Sequence, residues 1–180
     1  MQMISSPAKA WEEIRLEDGH KALTTFVYPM IGLCALSVVI GVLWQSGWDK
    51  PIGFQMAMRR CCEVAVSLFG GYYLAAYLLN TCCVRWFNMN DNFLLLQQFT
   101  AYAMVAILGL NFIVGIFPDF SILALLLKFY TVYIVWEGAT HFLFVSENQR
   151  LRFTVIASVI LMLCPFVIDR LFMGMIALTY

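Results

Sequence analysis

The stretch LLLKFYTVYIVWEGATHFLF, residues 125–144, decides what kind of protein this is. It is apolar over about 20 residues, the length of helix that crosses roughly 30 Å of hydrocarbon. Yet it carries Lys128, Glu137 and His141. A transmembrane β-strand would alternate apolar and polar residues over about ten positions; this run and others like it are continuously apolar, so the spans are helices.

The whole chain agrees with that reading. It has 180 residues, the size of one domain, and is 62% hydrophobic and 12% charged. Soluble domains average roughly 45–50% apolar and about 25% charged residues. The mean hydropathy is +0.82. A chain this short cannot hide so much apolar surface in its own core, so most of it faces lipid: an integral, multi-pass membrane protein. Eleven basic residues balance eleven acidic ones, which argues against a nucleic-acid partner, for which a basic face is needed. Of the six cysteines, Cys34 and Cys164 lie in apolar runs. The pairs Cys61–Cys62 and Cys82–Cys83 sit at opposite ends of one expected helix, roughly 30 Å apart at 1.5 Å per residue. They are read as small apolar fillers, with no metal or cofactor expected.

Outward from the opening stretch, five spans emerge at about 26–44, 63–83, 99–117, 120–144 and 153–178. The turn at Pro118-Asp119 makes the third and fourth an antiparallel hairpin, and Pro165 is expected to kink the fifth. The leader, residues 1–25, lacks the apolar core of a cleavable signal. Within it, Ser6-Pro7 reads as a helix start and Asp18-Gly19 as its end. The helix between them is expected to lie in the membrane interface with Trp11 as its anchor. Lys9, Arg15, Lys21, Arg85, Arg150 and Arg152 against Lys50, Arg59, Arg60 and Arg170 favour a cytoplasmic N-terminus by the positive-inside rule. The expected fold is therefore all-α, a five-helix membrane bundle with a short interfacial N-terminal helix.

Ionisable groups inside a bilayer cost about 2.5–3.5 kcal/mol each on insertion scales, so each needs a reason. At 1.5 Å per residue, Lys128 lies roughly 12 Å below the outer end of its span, Asp169 roughly 14 Å and Asn111 roughly 9 Å below theirs. Glu63 opens the second span on the same side. One outer-half cluster of Glu63, Asn111, Lys128, Asp169 and Arg170 follows. It is read either as structural, with outward snorkelling or a Lys128–Asp169 ion pair, or as a substrate or ion path. Glu137 and His141, four residues apart, share a helix face near the inner end. They are read as boundary markers rather than metal ligands, since EGATH is not the HExxH arrangement. Gly70, Gly71 and Ala75 form a small-residue patch for close helix packing, within the bundle or between two copies. No nucleophile elbow or pair of intramembrane aspartates points to an enzyme.

Two stretches carry a family resemblance. SSPAKAWEEI, before the first span, and YTVYIVWEGATHFLFVSENQRLRFTVIASVIL, the fourth span leading into the fifth, resemble the Yip (Ypt-interacting protein) domain proteins, and the likeness extends over nearly the whole chain as one Yip-like domain, 1–180. The resemblance implies a non-enzymatic scaffold or adaptor that acts through protein or lipid contacts. Eukaryotic members bind Rab GTPases and have long cytosolic leaders. The short leader here is closer to compact bacterial members and to a bacterial inner membrane, and Rab binding is not carried over. The alternative is a small carrier or channel for lipid, ion or a small polar solute, using the outer cluster. The expected partners are membrane lipids, with a protein partner or homo-oligomer as further candidates.

Overall fold

The computed structural model describes residues 7–15, 23–48, 51–87 and 89–178, with backbone alone for Leu23, Thr24 and 176–178. Ser6, Lys21, Lys50 and the Asp18-Gly19 stop signal lie outside the described residues. The elements are α1 (Pro7–Ile14), α2 (Tyr28–Ser46), α3 (Pro51–Phe87), α4 (Phe93–Ala103), α5 (Val105–Ile116), α6 (Ser121–Leu127), α7 (Tyr130–His141) and α8 (Glu147–Leu178). A π-helical turn, Leu23–Val27, precedes α2, and a 3₁₀ turn, Pro118–Phe120, joins α5 to α6.

Among the described residues four helical stretches are long and apolar enough to cross a membrane: Thr25–Ser46, Pro51–Phe87, Pro118–His141 and Glu147–Met175. α4 and α5 pass the same test together but bend by 42° at Met104, and taken as one span the bent pair makes five. The pair begins at Phe93, where the Asn92 side chain accepts the Leu95 amide N–H. An N-cap of that kind satisfies one of the donors that the first helical turn leaves free. α3, at 37 residues, outruns the expected span at both ends and serves as the hub, with α2, α4 and α8 packed around it. Exposed Trp44, Trp48 and Trp86 sit near span ends, where indoles favour the headgroup region.

The closest helix crossings are made by missing side chains. A Cβ on Gly41 would collide with the Gly115 carbonyl, and one on Gly115 with the Ser37 hydroxyl. Ser37 and Gly41, one turn apart on α2, thus open a channel for the α5 backbone, the small-xxx-small solution to packing where lipid offers no hydrophobic drive. Beside it Cys34 Sγ donates to the Leu108 carbonyl at 3.2 Å. The six cysteines are free thiols. α8 runs as a helix through Pro165, and Ser67 Oγ of α3 donates to the Pro165 carbonyl at 2.9 Å.

α1 corrects one expectation. The helix forms, but Trp11 is not an interfacial anchor; it is wholly buried. Its ring stacks on Phe99 (5.1 Å between centroids) and tilts against Phe142 (5.2 Å). Its Nε1–H donates to the Ile134 carbonyl at 3.1 Å. The socket exists because α7 carries Gly138 there: a Cβ would lie 2.7 Å from Phe99 Cε2 and 2.7 Å from Trp11 Cε2. Gln98 Nε2 donates to the Ile14 carbonyl at 2.9 Å and so satisfies one acceptor at the end of α1. The amphipathic pattern was legible, but a bundle socket competes with the headgroup region for the same indole and here wins it.

Candidate functional site

The fourth crossing changes character at Lys128. α6 ends at Leu127, and the next bonds are short-range, Phe129 N–H to the Leu126 carbonyl and Thr131 N–H to the Lys128 carbonyl. This tightening to i→i+3 spacing interrupts the regular α-helix before α7 resumes. Lys128 caps the carboxyl end of α6, where a cation is favoured by the helix dipole.

Lys128 lines a cavity of about 210 Å³ together with Asn111 of α5 and Asp169 of α8. Ser67, Pro165 and apolar residues of α3, α5 and α8 complete the wall. Three of the five residues expected in the outer cluster therefore share one cavity. The opposite charges of Lys128 and Asp169 face it without closing a direct ion pair among the described residues.

Glu63 and Arg170 stand elsewhere. Glu63 is 1% exposed. Its Oε1 accepts from Arg60 Nη1 at 3.0 Å, while the buried Oε2 receives no N–H and the carboxyl lies against that of Asp169. It lines a second crevice, about 310 Å³, with Arg59 and Arg60. Glu63 thus backs Asp169 from outside the cavity, and two carboxyl groups side by side repel as anions. The guanidinium of Arg170 is exposed and stacks 5.0 Å over Phe166 of its own helix, and it does not line the cavity. Arg60 was missed as the partner of Glu63, although its i,i+3 spacing carried the signal.

At the end of α7, His141 lies between two carboxylates, with Nδ1 3.5 Å from Glu12 Oε1 and Nε2 3.4 Å from Glu137 Oε2. These separations exceed ordinary hydrogen-bond lengths. Arg15 closes the same corner, 4.3 Å above the Phe144 ring. Phe144 itself takes a left-handed φ of 50°, a conformation that costs a non-glycine residue on the order of 1 kcal/mol. Among the described residues no three His, Cys, Asp or Glu side chains are grouped to hold a metal.

The small-residue patch faces α8. A Cβ on Gly71 would sit 2.6 Å from Pro165 Cα, and one on Gly70 3.2 Å from Ile168 Cγ2; Ala75 is fully buried. Beside the polar cavity lies a larger and almost wholly apolar groove of about 410 Å³, bounded by Ala106, Gly109, Leu110, Ile113, Leu127 and Tyr130. The model of the Yip1 domain family matches residues 1–168. No curated protein and no solved structure matches the chain.

Proposed function

Because the chain belongs to the Yip1 domain family, we propose that it is a non-enzymatic membrane scaffold or adaptor that works through lipid or protein contacts, with its N-terminus in the cytoplasm. The observation that carries this is the cavity of Asn111, Lys128 and Asp169. It offers an amide, an ammonium and a carboxyl, which are recognition groups, at a depth where each is expensive to bury. The rest of the bundle is held by apolar contacts, glycine crossings and bonds such as Ser67 to Pro165, so Lys128, which has no ion pair among the described residues, is not needed to fasten it.

The same opposite charges favour a second reading, a small carrier for lipid, ion or polar solute. Native mass spectrometry of the protein extracted in its own lipids separates the two when joined to a flux assay in vesicles. A scaffold retains a stoichiometric protein or lipid and passes no solute. Release of a bare monomer that supports flux, lost with Lys128→Ala, would establish the carrier in its place.

A further inference from the structure

The polar cavity and the apolar groove are lined by neighbouring positions of the same two segments. On α5 the groove residues Ala106, Gly109, Leu110 and Ile113 recur at i, i+3, i+4 and i+7, a single helix stripe. The cavity residues Ile107 and Asn111 lie one position further round, about 100° away at 3.6 residues per turn. On the facing element Leu127 and Tyr130 belong to the groove and Lys128 to the cavity. A ligand with a polar end and an apolar tail, passing between α5 and the Leu127–Tyr130 segment, would occupy both at once.

The charges select the polar end. Lys128 has no anion paired to it among the described residues. On the same cavity Asp169 is backed by the buried carboxyl of Glu63. Arg60 engages only Glu63 Oε1. One side chain calls for an anion and the other for a cation, and both line a space of about 210 Å³. A zwitterion answers both. The groove is open because of Gly109, where a Cβ would meet nothing within 4 Å, and its lining suits an acyl chain.

We propose that the cavity and groove form one site for a glycerophospholipid whose headgroup bears a primary ammonium, with its phosphate at Lys128, its ammonium at Asp169 and an acyl chain along the Gly109 stripe. This deepens the scaffold reading and rests on its lipid arm. The primary ammonium matters because its three N–H donors can reach Asp169, whereas a trimethylated headgroup has none.

The test uses the full-length protein in detergent with defined synthetic lipids, read by native mass spectrometry: phosphatidylethanolamine, phosphatidylcholine and phosphatidylglycerol at equal concentration. The ethanolamine lipid should be retained about tenfold more than the other two, the scale of one charge-assisted hydrogen bond. Asp169→Asn should erase that preference while leaving some binding, and Lys128→Ala should lower retention of all three. Gly109→Leu should block retention without unfolding the bundle, since its Cβ is placed in open space. Equal retention of the three lipids, or an unchanged preference in Asp169→Asn, overturns the assignment. A protein partner that stays bound while lipid binding shows no headgroup preference overturns the lipid site and leaves the scaffold reading standing. Loss of every bound partner sinks both.

Discussion

Replacing Trp11 with alanine should release α1 from the bundle while leaving the spans folded. A buried tryptophan removes roughly 150–250 Å² from water, worth up to about 4–6 kcal/mol at ~25 cal/mol per Å². The bond from Nε1 to the Ile134 carbonyl adds about 1 kcal/mol. Against this, the undocked indole regains a favourable place at the headgroups, so the truncation should cost about 3–5 kcal/mol. That corresponds to roughly 10²–10⁴ in the docking equilibrium.

The eight residues of α1 are too few to stay helical alone, so undocking is also unfolding. Hydrogen exchange read by mass spectrometry in a lipid nanodisc reports it directly: the amides of α1 should lose protection while those of α3 and α8 keep it. Gly138→Ala attacks the same socket from the other side, at a cost of about 1–3 kcal/mol for overpacking. In the double variant the two costs should fall short of their sum, because one of the two rings that the new methyl strikes has gone. Wild-type protection of α1 in Trp11→Ala would refute the reasoning, as would loss of protection spread evenly over the spans.

Gly71→Ala should lower the melting temperature far more than Gly70→Ala, because the first methyl meets the backbone of Pro165 and the second only the flexible end of Ile168; thermal melts of both in one detergent compare them. Glu63→Gln should leave stability unchanged or raise it by about 1 kcal/mol, since an amide can still accept from Arg60 while giving its N–H₂ to Asp169. A lower melting temperature than wild type would contradict that reading. His141→Ala should leave the exchange of α1 within about 0.5 kcal/mol of wild type, as expected for a long, solvent-screened pair. Faster exchange there would make His141 a clasp rather than a boundary residue.

The candidate site was partly legible because depth along a helix is arithmetic. Counting residues from each span end brought Asn111, Lys128 and Asp169 to similar levels, and they line one cavity. Azimuth is not given by counting across different helices. Arg170 follows Asp169 directly, yet one step of about 100° carries it out over Phe166. Glu63 was placed at the opening of its span, whereas α3 begins at Pro51 and the Glu63 carboxyl lies against Asp169 rather than on the cavity with Lys128. Gly70-Gly71 stood out as adjacent glycines, whereas Gly41 and Gly115 look ordinary until the two helices cross.

The sequence by itself determined that this is a helical, multi-pass membrane protein of the Yip kind. Hydrophobic run length and charge scarcity are properties of the chain against water and lipid, and they need no neighbour to have meaning. The fate of Trp11 and the separation of Lys128 from a closed ion pair were decided by tertiary structure alone. An indole suits a headgroup layer and an aromatic socket almost equally, so only the presence of Gly138, 127 positions away in the chain and in contact across the bundle, tips the balance.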